Sequence, residues 1–200
     1  YNGGLTGFNS SAGSISNSYT NSTTNGKSRT GGLVGRNEGT ISGCYTLGAT
    51  QGYCSFMPPS FYSDGYYVGG VCGENTGTIS SSYARGPARR NGNGRLYNVG
   101  GLVGLDSQGE VIRCYSSGAV SGTSAVGGLC GTATTGGNYQ DTANFWDTEA
   151  SGKTTSAMGT GKTTAQMKTQ TTFIAVSWDF ATVWAICEGK NYPKLRGQAA

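Results

Sequence analysis

The sequence predicts an all-β chain: a right-handed parallel β-helix, or solenoid, of about five coils, closed by a C-terminal cap that contains a short helix. Three recurrences predict it. Gly-Gly followed by an aliphatic residue returns at Gly3-Gly4-Leu5, Gly31-Gly32-Leu33, Gly69-Gly70-Val71, Gly100-Gly101-Leu102 and Gly127-Gly128-Leu129, in steps of 28, 38, 31 and 27 residues. Self-similarity at that period marks a solenoid. A second beat comes within the units, at Ile15-x-x-Ser18-Tyr19, Ile41-x-x-Cys44-Tyr45, Ile79-x-x-Ser82-Tyr83 and Val111-x-x-Cys114-Tyr115. Between the two beats an Asx residue recurs, as Asn9, Asn37, Asn75 and Asp106.

Each unit reads as two short strands and two turns, because two apolar segments are separated by Gly/Asn-rich punctuation. The double glycine is expected to mark a tight corner, and the aliphatic residue after it to fill the coil. Asx residues tolerate left-handed backbone and bond their own chain two residues on. Stacked in register, their side chains are expected to bond one another as a ladder. A calcium site is the alternative, but three neutral amides and one carboxylate suit it poorly. In coil five the Asx position becomes Gly131-Thr132-Ala133-Thr134-Thr135, and Asn144-Phe145-Trp146-Asp147-Thr148 replaces the second beat. A solenoid needs an atypical last unit to cover its open edge. The division is therefore residues 1–137 for the solenoid and 138–200 for the cap. In the cap, Thr163 and Gln166 form a capping-box pattern that starts a short helix over 163–168. Phe173, Trp178, Phe180, Val183, Trp184 and Ile186 are expected to form its apolar plug.

Glycine makes up 36 of 200 residues, without the three-residue period of collagen. Twelve Tyr, six Phe and three Trp at regular positions argue against disorder. No segment approaches the ~20 apolar residues of a membrane span, so no membrane insertion is expected. Tyr1 already lies inside a repeat, so further coils and a signal peptide are expected upstream. Charged residues are 12%, with a net charge of +4 and no histidine. That weakly basic, low-charge balance does not by itself support nucleic-acid binding, which needs a concentrated basic face, and no nucleic-acid partner is expected.

The six cysteines have no zinc-like spacing. Cys44 and Cys114 share one column, Cys72 and Cys130 another, and each pair sits two coils apart. Stacked strands rise ~4.8 Å, so each pair is separated by roughly 10 Å, beyond disulfide reach. These four read as small core fillers in place of Ser, Thr or Val. Cys54 and Cys187 fall outside the pattern and are the better candidates for bridging, with Cys44–Cys54 and Cys130–Cys187 as the pairings to test.

Chemistry finds little purchase. Ser156-Ala157-Met158-Gly159-Thr160-Gly161-Lys162-Thr163 resembles a phosphate-binding loop without its first glycine, and Asp147 to Thr154 repeats the near miss. A phosphate cradle needs a parallel α/β context, which a solenoid does not offer. A glycosidase needs two carboxylates ~5–10 Å apart, whereas Glu38, Glu74, Asp106 and Glu110 are scattered singly in turns. Without histidine, Ser-His, Cys-His and histidine-ligated zinc sites are excluded. The expectation is a chain that is not an enzyme and holds no cofactor or metal. A carbohydrate-active β-helix, binding or cleaving polysaccharide, is the alternative by analogy of fold.

Gly32-Leu33-Val34-Gly35 and Gly101-Leu102-Val103-Gly104, each with an Ile/Val-x-x-Cys-Tyr segment after it, resemble the GLUG-motif family. The tail resembles the segment that closes such arrays, through Phe145-Trp146-Asp147-Thr148, Thr163 to Lys168 and Trp184 to Pro193. The resemblance implies a β-solenoid of bacterial surface or secreted proteins, among them haemagglutinin-like adhesins and non-catalytic regions of IgA-cleaving metallopeptidases. It implies an extracellular or cell-surface location and an adhesive or scaffolding role, and it transfers no catalytic residue.

The repeat lengthens in two places, and insertions in solenoids map to loops on one face. From the repeat tyrosine to the next Gly-Gly there are 12 residues in coils one and four, but 24 in coil two and 17 in coil three. The first insertion, in the loop at 51–67, carries Tyr53, Phe56, Phe61, Tyr62, Tyr66 and Tyr67. The second, at 85–97, carries Arg85, Arg89, Arg90 and Arg95. Rings stack on sugars or apolar groups and guanidinium forks pair with anions, so these ten residues are the candidate ligand-binding surface. Structural cover, with arginines packed on the rings, is the other reading. The expected partner is a glycan or protein on a host or neighbouring cell surface. Self-association through the solenoid edges into a filament is a further possibility.

Overall fold

The computed structural model describes residues 1–53, 65–91, 95–136 and 140–198. It is a parallel β-solenoid. One sheet stacks Asn2–Gly3, Ser28–Gly31, Gly65–Gly69, Leu96–Gly100 and Ser124–Gly127. A second stacks Thr6–Asn9, Val34–Asn37, Cys72–Asn75, Val103–Ser107 and Cys130–Thr134. A third takes Ser14–Ser16, Thr40–Ser42, Thr78–Ser80, Glu110–Ile112 and Gln140–Thr142. The fourth runs from Tyr19–Thr20 through Tyr45–Thr46, Tyr83–Ala84 and Tyr115–Ser116 to Phe145–Asp147 and Thr160–Lys162. A fifth, of Thr24–Gly26, Thr50–Tyr53 and Ala88–Asn91, spans the first three coils. Each apolar segment thus splits into two strands, so a coil has four or five short strands rather than two.

The register places equivalent residues over one another: Ile15, Ile41, Ile79 and Val111 stack in the third sheet. Leu33, Val71, Leu102 and Leu129, the residues after the last four double glycines, are fully buried, whereas Leu5 after the first is exposed. Cys44, Cys72, Cys114 and Cys130 are fully buried beside them, as core fillers. Burial pushes the Cys114 thiol up to about 12 and raises those of Cys44, Cys72 and Cys130, which leaves them inert. Both expected disulfides are corrected or unsupported. Cys130 and Cys187 are free thiols, one inside the solenoid and the other exposed on the tail. Cys44 is free too, and Cys54 lies outside the described residues.

The double glycine does sit at the corner, where the bend at Gly32-Leu33 joins Ser28–Gly31 to Val34–Asn37, but it does not supply left-handed backbone. Left-handed backbone falls instead at Asn17, Gly43, Ser81, Arg113 and Ala143 in one column, and at Arg29, Tyr67, Asn98 and Ala125 in another. The glycines answer to space. A Cβ on Gly31 would lie 1.9 Å from the Val34 carbonyl oxygen, and one on Gly32 2.1 Å from that of Gly70. The same clash recurs at Gly69, Gly70, Gly100 and Gly101. Small inward residues meet this strip from the fourth sheet: Thr20, Thr46 and Ser116 donate to the carbonyls of Gly32, Gly70 and Gly128 at 2.7, 2.9 and 2.8 Å.

Stacking continues beyond residue 137. Asp141 pairs with Val111 and Phe145 with Tyr115, so the second beat persists in altered form. Residues 151–162 then form a shortened sixth coil: Gly128, Cys130 and Asn144 bond through backbone to Thr155, Ala157 and Thr160. Trp146 and Met158 fill the interior there. The Asp147 carboxylate caps helix α1 (Thr148–Ser151). Thr163 and Gln166 form the expected capping box on α2 (Thr164–Met167), and α3 (Gln170–Ile174) comes next.

The backbone clash makes one contrast testable. Gly70→Ala should cost about 3 kcal/mol or more, because its Cβ would sit 2.2 Å from the Gly101 carbonyl oxygen and the stacked coils cannot separate. Gly189→Ala, at φ +70° with nothing within 4 Å, should cost only about 1 kcal/mol of backbone strain. Equilibrium unfolding of both variants checks the difference.

Candidate functional site

The fifth sheet carries the bases of both insertions. Gln51 lies opposite Arg89, Gly52 opposite Arg90 and Tyr53 opposite Asn91. Both segments then rejoin the first sheet as neighbours, Gly65–Gly69 against Leu96–Gly100. Two loops of successive coils therefore leave and return at one corner. Tyr53, Arg89, Arg90 and Arg95 are exposed. Phe56, Phe61 and Tyr62 lie outside the described residues, and Tyr66 is placed by its backbone opposite Tyr97. In the orientation its neighbours dictate, the Gln51 amide donates to Asn25 Oδ1 at 2.9 Å and accepts from Arg89 at 3.0 Å. A polar strip thus crosses the sheet beneath the two arginines.

Tyr67 belongs to a different arrangement. The Arg29 guanidinium lies 5.4 Å from the centre of its ring and 5.3 Å from that of Tyr1, and Arg29 also pairs with Glu74. Arg36 pairs with Glu38 at 2.7 Å and approaches Glu74 at 3.9 Å. This cluster ties coils one, two and three together.

Arg85 is not on the loop surface at all. The second-beat tyrosines Tyr19, Tyr45, Tyr83 and Tyr115 stack as a column on the outer face of the fourth sheet, with centroids 4.9, 5.1 and 4.9 Å apart. The tail from α3 onward folds along that column instead of over the solenoid end. Phe173, Trp178 and Trp184 are buried against Tyr83, Tyr115 and Phe145, with Phe180, Val183 and Ile186 packed at the margin. The strands Trp184–Ala185 and Lys194–Leu195 form a small antiparallel pair within the tail. Tyr115 donates to the Pro193 carbonyl at 2.5 Å and Tyr83 to Gln198 at 2.8 Å. Arg85 donates to the Tyr115 hydroxyl at 3.2 Å and to the Tyr192 carbonyl at 3.2 Å, with its guanidinium over the Tyr83 and Tyr192 rings. It is a clasp holding the tail. The sequence signal was the spacing of the tyrosines, but nothing local to Arg85 distinguishes it from the loop arginines.

The last described residues of the tail, through Gln198, lie near Tyr45. There, an open cleft of about 550 Å³ is lined by Asn17, Tyr19, Tyr45, Arg196 and Gln198. A second, of about 260 Å³, also borders Tyr45 and Gln198 and is lined by Leu47, Arg85, Tyr192 and Lys194.

The Asx column forms the expected ladder. Asn9 donates to Asn37 at 2.7 Å, Asn37 to Asn75 at 2.8 Å and Asn75 to Asp106 at 2.7 Å. Asp106 Oδ2 is buried without a hydrogen-bond partner, opposite Ala133 of coil five. Burial pushes its carboxyl up to about 6, against the pull of the Asn75 amide and the Gly109 N–H.

The other described acidic residues have structural partners. Glu110 accepts from Thr78, Asp141 from Asn144 and the Gly159 N–H, and Asp147 from Thr164 and Tyr192. Glu149, Asp179 and Glu188 accept from the backbone of Thr164, Ala181 and Gln170. Among the described residues no three His, Cys, Asp or Glu side chains gather as a metal site. The phosphate-loop near miss is the sixth coil. Its Ser156 accepts from the Leu129 and Cys130 N–H groups, and its Lys162 lies over the Phe145 ring.

No protein-family model matches the sequence, and no curated protein matches it. The fold is similar to the crystal structure, at 1.30 Å resolution, of a "putative immunoglobulin A1 protease" from Bacteroides ovatus, with a TM-score of 0.62 and 19% identity. The similarity covers 98% of this chain and 63% of that one. The expectation that the chain is not an enzyme does not stand, because nearly the whole chain shares its fold with a protein described as a "putative immunoglobulin A1 protease". At that identity the likeness shows the shared fold and assigns no catalytic residue here.

Asp106 makes stability depend on pH in a predictable direction. Its folded pKa of about 6 exceeds the ordinary 3.8, so the folded state binds the proton more tightly. This contribution is fully present below about pH 4 and is lost as pH rises through about 6, a change on the order of 3 kcal/mol. The difference in unfolding free energy between the wild type and Asp106→Asn should show that fall between pH 4 and 7. A flat difference would contradict it.

Proposed function

We propose that this chain is a recognition module of a bacterial surface or secreted protein, and that its solenoid holds two inserted loops as one contact surface for a glycan or protein. The observation that carries the reading is the adjacency of the loop bases, with Tyr53, Arg89 and Arg90 exposed on neighbouring strands. An aromatic ring beside two guanidinium forks suits a ligand with flat apolar faces and anionic groups. The GLUG-like repeats support the extracellular setting.

The structural neighbour favours a second reading of the same surface: docking a glycoprotein substrate such as immunoglobulin A1 for cleavage by the larger protein. The two readings share the contact residues and differ in whether the bound partner is then cleaved.

Glycan arrays and immobilised immunoglobulin A1 provide the test. Arg89→Ala/Arg90→Ala should lower binding to the recognised ligand tenfold or more while leaving Tm unchanged, since both side chains are exposed. Retained binding in that variant would remove the loops from the contact surface. Appearance of immunoglobulin fragments on incubation would favour the protease setting over adhesion.

A further inference from the structure

Where the tail crosses the tyrosine column it leaves a cleft that none of the exposed loop residues Tyr53, Arg89, Arg90 and Arg95 lines. We propose that this cleft, walled by Arg85, Asn191 and Lys194, binds a single anionic sugar ring. It is a second site, and it stands or falls independently of the loop surface.

The position of the cleft follows from the packing of the tail. Tyr83 and Tyr115 are buried beneath it, whereas Tyr45 of coil two is only half-buried. The space left there is about 260 Å³ and reaches from Tyr45 and Leu47 to the tail residues Asn191, Lys194 and Gln198. Arg85 joins the two walls. Its Nε donates to the Tyr115 hydroxyl and one η nitrogen to the Tyr192 carbonyl, so the guanidinium is fixed from behind. The other η nitrogen has no acceptor among the described residues.

Charge makes the ligand an anion. Two cations, Arg85 and Lys194, and no described acidic residue line the cleft. Neither cation has a carboxylate partner among the described residues. Lys168 adds a third positive charge close by, its ammonium 5.6 Å from the centre of the Tyr192 ring. Asp147 reaches the Tyr192 hydroxyl, but it is also committed to Thr164 and to the N–H groups of Glu149 and Ala150. Cations beside low-dielectric walls focus a field that draws in an anion.

The neutral groups make it a ring rather than a bare anion. Gln198 accepts from the Tyr83 hydroxyl at 2.8 Å, while its Nε2 is buried without an acceptor among the described residues. A buried donor left unpaired is a cost that a ligand oxygen removes. The Tyr45 hydroxyl and the exposed Asn191 amide also have no side-chain hydrogen bond among the described residues. Leu47, 39% exposed, supplies an apolar wall. A carboxylate answers the two cations, ring hydroxyls answer the phenol and the amides, and a C–H face lies against Leu47. Size agrees, since pockets for drug-sized ligands run from about 300 Å³ upward and this one is smaller. An acidic peptide would put one carboxylate side chain there and leave the neutral groups unanswered.

Titration of the full chain with glucuronate, followed by NMR, tests the site. The side-chain amide signals of Asn191 and Gln198 should shift saturably in the millimolar range, and glucose should bind at least tenfold more weakly. Lys194→Gln should lower glucuronate affinity tenfold or more with Tm unchanged, and Lys194→Arg should restore most of it, which a purely structural role would not produce. Asn191→Ala, at an exposed side chain, should weaken glucuronate but leave acetate binding as it was. Shifts confined to the inserted loops, or equal affinity for glucose and glucuronate, would overturn the proposal. Acetate binding as tightly as glucuronate would overturn the sugar ring and leave a simple carboxylate pocket. A Glu-containing peptide that binds there more tightly than glucuronate would overturn it in favour of a protein ligand.

Discussion

A carboxamide has one donor side and one acceptor side, and the buried row from Asn9 to Asp106 uses both. That row is the constraint on which the rest depends. Strands of two to five residues make few backbone bonds each, and a repeating pattern offers them several registers. Slipping by one residue would turn every side chain to the opposite face. A slip would also bury amides without partners, which is costly inside a low-dielectric core. The double glycines add a steric lock, since their strip admits no Cβ between coils. Register set in this way carries the equivalent residues of five coils into columns.

The columns then explain the tail. Stacked tyrosines on the fourth sheet form a continuous apolar stripe with hydroxyls along its edge. Trp178, Trp184 and Phe173 cover the stripe, and Pro193, Gln198 and Arg85 engage the hydroxyls of Tyr83 and Tyr115. Coverage fades toward the first coil, where Tyr45 is half-buried and Tyr19 exposed. The tail therefore braces the middle and far coils and leaves the near end open. On the other side of the solenoid, the same register sets Tyr53 and Arg89–Arg90 side by side, which gives the loop corner a rigid base.

Much of this was legible in the sequence where one position repeats one physical job. The Asx ladder, the buried aliphatic column, the cysteines as fillers and the capping box at Thr163 and Gln166 all come from local chemistry plus a period. The illegible part depends on contacts far apart in the chain. The spacing of Tyr83, Tyr115 and Phe145 gives no sign that residues 163–198 turn back along them. Arg85 reads like its neighbours Arg89 and Arg90 until Tyr192 is placed beside it. The double glycine marks the corner as its repetition suggests, but the reason for it was not legible: Asn17, Ser81 and Arg113 take the left-handed conformation, and glycine supplies clearance between coils. Cys187 stands outside the repeat without a partner, so falling outside a pattern is no evidence of a bridge.

The central claim is that adjacent coils are held in register by cooperative side-chain bonds along the Asx column. A double-mutant cycle on Asn37→Ala and Asn75→Ala, read by equilibrium denaturation, measures this most directly. The account predicts a coupling of about 1–3 kcal/mol, because removing one amide already strands its neighbour and removing the second then costs less. Additive losses would show that the two amides act alone, and would contradict it.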